Sequence, residues 1–355
     1  MKVLVTGHNG YIGAVLTPML QRAGHDVTGL DTYYFEACTF GPATRDVPAL
    51  RTDLRDVRPS ALRGFDAVVH LGALSNDPLS NLNPALTFDI NHAASVRLAQ
   101  AAKEAGVPRW VFASSCSLYG VAGDALLTED AAFHPITPYG ESKVRVEQDV
   151  RLLADDAFSP VFLRNATAYG VSPRLRADVV VNNLVAHAVT SGDVRVESDG
   201  TPWRPLVHVE DIARAVIAVL AAPRAAVHNE AFNVGRNEDN LRVSTIADLV
   251  AAGVPGSVVR YAPGGGPDPR CYRVDCTKLM RAVPSFEPQW TVERGIAELC
   301  DAMHTAGVRR GMTIPDAFFR IRYIQHLLAT GRLDQALRWR SDEQRKHNVH
   351  AGDDR

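Results

Sequence analysis

A tyrosine and a lysine four positions apart, Tyr139 and Lys143, form the pair in this sequence best suited to proton transfer. Residues at this spacing lie on one face of a helix. A phenol with a pKa near 10 is a poor base at neutral pH, but a lysine ammonium beside it favours the phenolate, which can take a proton from an alcohol. The same spacing is also common on exposed helix faces. Its position after an apolar strand-like segment and the serine-rich loop Ser114–Ser117 favours a catalytic site.

A glycine-rich segment follows the first apolar run of the chain. Lys2–Thr6 predicts a buried strand, which leads into Gly7–Gly13 and then into a helical pattern. Glycines in such a turn let the backbone approach a pyrophosphate, whose charge is stabilised at the helix N-terminus. Because strand, turn, helix and second strand occur in the required order, we predict a dinucleotide-binding unit rather than a merely structural turn.

Acidic residues after the next strands indicate which dinucleotide binds. The second strand leads to Asp31, whose carboxylate would accept hydrogen bonds from the adenosine ribose and repel a 2′-phosphate. No arginine or lysine follows before Arg45, so NAD is favoured over NADP. Asp53, next to Leu54, is expected either to face the adenine amino group or to cap a helix N-terminus.

Apolar runs and helical patterns alternate through the first half of the chain, and this alternation is typical of a parallel sheet with helices on both faces. The predicted strands are Lys2–Thr6, Asp26–Leu30, Ala67–Leu71, Trp110–Ala113 and Val161–Leu163. The predicted helices between them are Tyr11–Ala23, Ala93–Ala105 and Tyr139–Ala154. Both groups of candidate residues therefore lie where such a sheet binds its ligands.

Shorter elements, richer in proline and glycine, follow residue 165. We therefore expect an NAD-binding domain in residues 1–165 and mainly a substrate-binding lobe in residues 166–300. A strand and a helix near residues 205–220 are expected to return to the first domain, and Ala231–Val234 predicts another strand. Residues 301–355 form a C-terminal helical extension with a charged tail.

The composition excludes several classes of protein. A formal net charge of −2 gives no field that would gather nucleic acid or anionic lipid. No apolar run is long enough to span a membrane, and no signal segment precedes the first strand. The five cysteines have no metal-binding spacing, so we expect no metal site, and their odd number favours the reducing cytoplasm.

Taken together, these residues resemble the extended short-chain dehydrogenase/reductase superfamily, in its branch of NAD-dependent sugar-nucleotide epimerases and dehydratases. The resemblance covers about residues 1–300, and the matching segments are Thr6–Gly13, Asp31, His70–Ala73, Asn91, Ser114–Gly120, Tyr139 with Lys143, Leu163–Gly170 and Arg204–Asp211. It implies an α/β fold, a Rossmann doubly wound parallel sheet with a smaller C-terminal substrate-binding lobe.

The resemblance also implies catalytic and cofactor-binding roles. Ser115 would hydrogen-bond the reacting oxygen, Tyr139 would be the acid/base, and Lys143 would hold the nicotinamide ribose and lower the tyrosine pKa. The cofactor-binding residues would be Gly7, Asn9, Gly10, Tyr11, Ile12, Gly13, Asp31, Asp53, Leu54, Leu71, Gly72, Ala73, Asn91, Tyr139 and Lys143. His70 would either join this lining or be a satisfied histidine at a strand end.

The implied substrate is a nucleotide sugar. Arg204 matches the family arginine that meets the diphosphate, and a guanidinium suits this task because it pairs with two phosphate oxygens. The substrate-binding residues would be Ser75, Ser115, Ser117, Tyr139, Asn165, Thr167, Asn182, Asn183, Arg204 and Arg270. Which of the two neighbouring asparagines binds substrate stays open, as do the nucleotide base, the sugar and the carbon that reacts.

Two departures from the family pattern concern this pocket. Thr167 stands where most relatives have an asparagine, and Gly264–Arg270 replaces a family Arg-Pro-Gly-Asp turn. Arg270 or Arg273 would supply the missing charge from a slightly later position, and Arg273 is equally well explained as a surface residue.

The loop after Ser115 bears on the type of reaction. The 4,6-dehydratases of this branch carry an Asp-Glu pair there, whereas this chain has Cys116 and Ser117, so an epimerase is favoured over a dehydratase. Related 3,5-epimerases use a cysteine of this loop, one position later, which leaves Cys116 either a catalytic residue or a small apolar filler. A ketoreductase and a non-catalytic NAD-binding scaffold or sensor are the remaining alternatives.

The resemblance further suggests a homodimer through the helices Ala93–Ala105 and Tyr139–Ala154, and the alanines of the first helix would allow close approach. Packing of the same alanines against the sheet is the alternative. Ala317–Thr330 predicts a last helix, ended by Gly331, and the charged end from Arg340 is expected to fray.

Overall fold

Strands and helices alternate along the chain in the computed structural model, which describes residues 1–42, 47–266, 268 and 270–340. The strands are β1 (Lys2–Thr6), β2 (Asp26–Asp31), β3 (Ala49–Arg51), β4 (Ala67–His70), β5 (Arg109–Ser115), β6 (Val121–Leu127), β7 (Ser159–Asn165), β8 (Thr167–Tyr169), β9 (Asp193–Val196), β10 (Trp203–His208), β11 (Glu230–Val234), β12 (Asn240–Arg242), β13 (Val258–Tyr261) and β14 (Cys271–Val274). The helices are α1 (Gly13–Arg22), α2 (Asp77–Leu82), α3 (Pro84–Thr87), α4 (Ala94–Glu104), α5 (Pro138–Arg151), α6 (Val180–Ser191), α7 (Val209–Ala221), α8 (Arg224–Val227), α9 (Val243–Gly253), α10 (Thr277–Ala282), α11 (Val292–Thr305) and α12 (Arg320–Ala329).

Seven of the strands in the described part of the chain form one sheet, in the order β11-β7-β5-β4-β1-β2-β3. Every neighbouring pair in it is parallel. The chain moves outward from β1 to β2 and β3, and then returns to place β4 on the other side of β1. Such a reversal opens a crevice at the carboxyl ends of the strands. The predicted fold class, a Rossmann doubly wound parallel sheet, is confirmed.

Alternating side chains of the buried strands separate the core into two layers. Val3 and Val5 of β1 pack into the layer that contains α1 and α7, whereas Leu4 packs into the layer beneath α4 and α5. This is the two-residue period of a strand that is covered on both faces. Helices on both faces fix the strand ends, and the strand ends carry the candidate site.

The strand expected near residue 205 does not join the large sheet. β10 pairs with β8 and β12 in a separate three-stranded sheet, while α7 returns to the large sheet and β11 becomes its edge strand. The physical reason is that Ala166 alone separates β7 from β8. β8 therefore continues the chain beyond the carboxyl end of β7, where it pairs with β10. The boundary between the two proposed domains is therefore crossed by β11 as well as α7.

The alanines of α4 are used inside the protomer. Ala94, Ala99 and Ala102 are fully buried, and Ala99 and Ala102 pack with the sheet in the layer beneath α4 and α5. Their packing follows the alternative that the sequence left open, so these alanines are not available for close approach to a second helix.

The C-terminal extension begins with a single 3-10 turn, Asp316–Phe318, and continues as α12, so the predicted helix starts three residues later than expected. The charged tail of residues 341–355 lies outside the described residues. Among the residues that are described, no helix has the length and apolar character needed to cross a membrane, and no cluster of histidine, cysteine and acidic side chains suits a metal ion.

Candidate functional site

A cavity of about 600 Å³ lies at the carboxyl ends of the large sheet and extends toward the small lobe. Most of the residues predicted from the sequence line it, namely Gly7, Asn9, Gly10, Tyr11, Ile12, Gly13, Asp31, Asp53, Leu54, Leu71, Gly72, Ala73, Ser75, Ser115, Ser117, Tyr139, Lys143, Asn165, Thr167, Asn183, Arg204 and Arg270. Asn91, Cys116 and Asn182 are not among the described lining residues. A volume of this size is that of a typical ligand cavity.

The glycine turn forms one end of the cavity and fits a pyrophosphate. Gly7 has a φ of +72°, and a Cβ there would lie 2.8 Å from the backbone nitrogen of Gly72. Gly13 begins α1, and a Cβ on it would collide with the carbonyl of Gly7. Only glycine fits these two positions, so the backbone stays open to a ligand at the helix N-terminus.

Asp31 is fixed beside this turn at the end of β2. Its carboxylate accepts hydrogen bonds from the backbone nitrogens of Asn9 (3.1 Å) and Tyr33 (2.7 Å). Burial raises the pKa of Asp31, while the charge on His8 and the two backbone donors oppose that rise. The carboxylate is therefore held in the position expected for an acceptor of ribose hydroxyls.

Asp53 combines the two roles that the sequence left open. It lines the cavity, and it also caps the 3-10 turn Leu54–Asp56, because its Oδ1 accepts the backbone nitrogen of Arg55 at 2.9 Å. Its Oδ2 accepts Nη2 of Arg55 at 2.7 Å. Burial alone would raise the pKa of Asp53, but these bonds to Arg55 hold it below its usual value.

Asn91 and His70 support the cofactor end from behind. Asn91 accepts the backbone nitrogen of Leu74 at 2.8 Å and donates to the Leu74 carbonyl at 3.0 Å, so its side chain is bonded to the backbone of a residue that lines the cavity. His70 is bonded to Thr6 (2.6 Å) and Ser95 (2.8 Å), and burial lowers its pKa to about 3. It is the neutral, satisfied histidine of the two alternatives.

Tyr139 and Ser115, two of the candidate catalytic residues, lie together because α5 begins against the serine loop Ser114–Ser117. Thr137 caps the helix by accepting the backbone nitrogen of Gly140, and a Cβ on Gly140 would lie 3.0 Å from the carbonyl of Ser117. This close packing brings Tyr139, in the first turn of α5, to the hydroxyl of Ser115. Burial raises the pKa of Tyr139, and the hydrogen bond with Ser115 and the charge of Arg176 partly offset that rise.

Lys143 is held by the backbone of β5. Its Nζ donates to the carbonyl of Ala113 at 2.7 Å and lies 5.6 Å from the centre of the Tyr139 ring. Burial lowers the pKa of Lys143 to about 7, although Glu147 opposes the shift. Ser115 and Arg176 are groups that favour the phenolate of Tyr139.

Cys116 turns away from the cavity. Its side chain is fully buried, and its Sγ contacts the carbonyl of Arg164 at 3.1 Å. Burial raises the pKa of this thiol well above its ordinary value. The position suits a packing residue better than a proton carrier.

The substrate end of the cavity contains linked ion pairs. Asp268 pairs with Arg204 at 2.6 Å and with Arg270 at 2.5 Å, and Arg270 also reaches Asp77 at 2.6 Å. Arg273 instead lies over the ring of Trp203, with 4.8 Å between its guanidinium carbon and the ring centre. Of Arg270 and Arg273, Arg270 is therefore the one that lines the cavity.

The two neighbouring asparagines have different positions. Asn182 is fully buried, and its amide accepts Gly170 N at 3.0 Å and donates to Arg176 O at 2.9 Å and to the Tyr11 hydroxyl at 3.1 Å. Asn183 lines the cavity. Asn165 also lines it, and its buried Oδ1 has no hydrogen-bond partner among the described residues, which leaves an acceptor for a ligand.

Sequence reasoning missed Arg176. Its Nε pairs with Asp178 at 2.8 Å and its Nη1 contacts Ser75 at 3.4 Å, while the buried Nη2 has no partner within the described chain. Both Arg176 and Asp178 line the cavity. The sequence shows an arginine and an aspartate two positions apart after the Tyr169–Gly170 segment. Such a charged pair in a loop does not by itself indicate that either side chain faces a ligand.

Comparison with known proteins agrees with this geometry. Residues 3–235 match the model of the NAD dependent epimerase/dehydratase family. A UDP-glucose 4-epimerase of Lactobacillus helveticus is 30% identical over 317 residues, covering 81% of this chain and 92% of that protein.

Solved structures are similar as well. MoeE5 in complex with UDP-glucuronic acid and NAD has a TM-score of 0.75 and 27% identity, covering 86% of this chain and 100% of that one. The UDP-glucose 4-epimerase of Thermus thermophilus in complex with NAD has a TM-score of 0.73 and 26% identity, covering 86% of this chain and 99% of that one. The resemblance to the epimerase branch and the choice of NAD are both confirmed. The chain is an NAD-dependent enzyme that belongs to the NAD dependent epimerase/dehydratase family.

Proposed function

We propose that this enzyme is a nucleotide-sugar 4-epimerase, which oxidises the sugar C4 hydroxyl and returns the hydride to the opposite face of the ring. The observation that carries the proposal is the contact of Tyr139 with Ser115 beside a loop that offers no carboxylic acid. An elimination of water needs an acid and a base next to the reacting carbon. At the two positions where the 4,6-dehydratases carry an Asp-Glu pair, this chain has Cys116 and Ser117. Cys116 is turned into the core.

The proposed chemistry assigns one task to each side chain. Ser115 holds the reacting oxygen, and Tyr139 takes the proton from it and later gives it back. NAD, when bound, supplies the acceptor and later the donor of the hydride, and its positive ring further favours the phenolate. Lys143, anchored on Ala113, would hold the nicotinamide ribose. Because the hydride taken from the sugar returns to it, each turnover leaves the cofactor unchanged.

A nucleotide diphosphate suits the other end of the cavity. Arg204 and Arg270 lie together and share the single carboxylate of Asp268, and Arg270 also pairs with Asp77. A diphosphate offers the same guanidinium groups more oxygens and more charge than one carboxylate does. The names of the relatives support the same proposal, since several are UDP-glucose 4-epimerases and MoeE5 was solved with UDP-glucuronic acid.

Incubation with UDP-sugars in deuterium oxide separates the possible reactions. A 4-epimerase with direct hydride return gives an isomer of unchanged mass and no deuterium on carbon. A product lighter by one water would identify a dehydratase, and deuterium on the carbon skeleton would identify a 3,5-epimerase. Net consumption of reduced cofactor would identify a ketoreductase, and NAD binding without turnover of any nucleotide sugar would favour the scaffold.

We also propose a homodimer through the solvent-facing sides of α4 and α5. Since the alanines of α4 are buried within the protomer, the contact would use exposed residues such as Arg97, Gln100 and Arg145. Sedimentation at micromolar concentration should give twice the mass of the chain. A monomer there would contradict the arrangement, and charge reversal at Arg97 or Arg145 should dissociate a dimer that uses this face.

The proposed setting is the cytoplasm. All five cysteines are unpaired, which fits a reducing compartment.

A further inference from the structure

The C-terminal extension reaches the cofactor end of the cavity. Residues 320–340, here called the C-terminal strap, comprise α12 and a turn that folds back on itself. Leu333 and Trp339 form an antiparallel bridge across the turn, and Oδ1 of Asp334 accepts the backbone nitrogens of Ala336 (2.9 Å) and Arg338 (2.8 Å). The turn thus has its own hydrogen bonds and a defined shape.

Apolar side chains attach the strap to the Rossmann domain. The buried cluster they form contains Ile324, Leu327, Leu333 and Leu337 from the strap and Tyr34, Leu74, Leu79 and Ile90 from the domain. Tyr34 and Ile90 also line the cavity. The strap therefore packs directly against the wall of the cofactor site.

Polar contacts of the strap reach the loop that follows β2. The indole nitrogen of Trp339 donates to the carbonyl of Thr32 at 2.6 Å, and the Tyr34 hydroxyl donates to the carbonyl of Leu337. Thr32 and Tyr34 line the cavity within three residues of Asp31, whose carboxylate is expected to bind the adenosine ribose. This loop is thereby fixed to the strap from its outer side.

The strap also reaches the loop that follows β3. Arg338 pairs with Asp53 at 3.3 Å and with Asp56, while Arg55 donates to the carbonyl of Ala336 at 2.9 Å. Asp53 and Leu54 line the same end of the cavity. Two loops that belong to neighbouring strands, and that both line the adenosine end, are consequently joined by one segment.

We propose that the C-terminal strap retains NAD, because it joins the loops after β2 and β3 and so prevents their separation when the adenosine half would leave. Arg338 and Trp339 are positioning residues in this proposal, since they act on the cofactor through Asp53 and Thr32. At its other end, Arg320 is buried, stacks on Phe35 and donates from its backbone to Asp178 at 3.3 Å, which places the strap along the cavity toward the substrate end.

The test is the rate at which cofactor leaves the full-length protein. Enzyme loaded with NADH is mixed with excess NAD, and the loss of bound NADH fluorescence gives the dissociation rate. The double variant Arg338→Ala with Trp339→Ala should release NADH at least tenfold faster, and tenfold is equivalent to about 1.4 kcal/mol in affinity if association is unchanged. Arg322→Ala is the matched control, because the exposed side chain of Arg322 pairs with Asp316, in the turn before α12. This substitution should change the dissociation rate less than twofold.

A purely structural role gives a different result. In that case the double variant lowers the melting temperature equally with and without NAD, and the dissociation rate stays within twofold of the original, which would overturn the proposal. A chain ended after Thr330 should release NADH faster still. If that shortened chain does not fold, the double variant, which keeps the chain length, decides the question. None of these measurements depends on the identity of the sugar.

Discussion

Replacing Tyr139 by phenylalanine removes one oxygen atom at the centre of the proposed reaction. The ring keeps its packing, and the hydrogen bond with Ser115 is the interaction lost. Because that hydroxyl faces the cavity, the free energy of unfolding should change by less than about 1 kcal/mol. Loss of the general base should lower kcat by about 10²–10⁴, which corresponds to roughly 2.7–5.5 kcal/mol in the activation barrier.

A second tyrosine provides a matched control for the same substitution. The Tyr119 hydroxyl donates to Asn233 Oδ1 at 2.8 Å and accepts from Arg164 at 3.0 Å, in the core behind the serine loop. Tyr119→Phe leaves a buried acceptor without its donor and should cost about 1–3 kcal/mol of stability. It removes no group from the cavity, so kcat should fall by less than threefold.

The assay pairs turnover of a UDP-sugar with urea unfolding and NAD binding for each variant. Tyr139→Phe should lose activity and keep stability and NAD affinity, whereas Tyr119→Phe should lose stability and keep activity and NAD affinity. The reasoning is refuted if Tyr139→Phe retains more than a tenth of the original kcat. It is equally refuted if both variants lose activity in proportion to their stability, since the phenol would then be structural.

Three further substitutions address the groups around Tyr139. Because burial lowers the pKa of Lys143 to about 7 in the folded protein, the unfolded chain holds an extra proton between pH 7 and about 10, and the free energy of unfolding should rise with pH there by up to about 1.4 kcal/mol per unit. Lys143→Met should remove that slope from urea unfolding of NAD-free protein at pH 7.5 and 9.0, and an unchanged slope would contradict the prediction. Cys116→Ser should keep at least half of the activity and incorporate no deuterium into the product; a tenfold loss in a folded variant would favour the 3,5-epimerase. Arg176→Met removes a charge that lowers the pKa of Tyr139, so the kcat–pH profile should move to higher pH, and an identical profile would exclude this coupling.

Most of the large sheet was predictable because its strands carry a local signal. β1, β2, β4, β5, β7 and β11 are short apolar runs with turns at both ends, and each was predicted within a few residues. β6 and β8 were not predicted. β6 is largely exposed and reads Val-Ala-Gly-Asp-Ala-Leu-Leu, and β8 is three residues long, so both owe their conformation to partners far away in the chain. Tertiary pairing of this kind leaves no periodicity to detect.

The candidate site was predictable where a backbone requirement selects the residue. Gly7 and Gly13 are needed for steric reasons, Tyr139 follows from its helix spacing to Lys143, and Ser115 was implied by the family resemblance. The choice between Asn182 and Asn183 could not be made, because one helix position separates a buried amide from one that lines the cavity. Arg176 was missed because its candidate role rests on the buried Nη2, which has no hydrogen-bond partner among the described residues, and a sequence cannot show this.

The C-terminal strap bears on the type of reaction as well as on cofactor binding. A ketoreductase must exchange its cofactor in every turnover, so its kcat is bounded by the rate at which the cofactor leaves. An epimerase regenerates NAD in place, and slow release then costs no rate. Contacts from Trp339 to Thr32 and from Arg338 to Asp53 oppose release, so they suit the second case. A ketoreductase releases the oxidised form, so the rate to compare is that of NAD, and we expect the NAD dissociation rate to be at least tenfold lower than kcat, which for most enzymes is roughly 1–10³ s⁻¹. Stopped-flow release and steady-state turnover at one temperature give the two rates. Release as fast as turnover would remove this support for the epimerase and return the ketoreductase to equal standing.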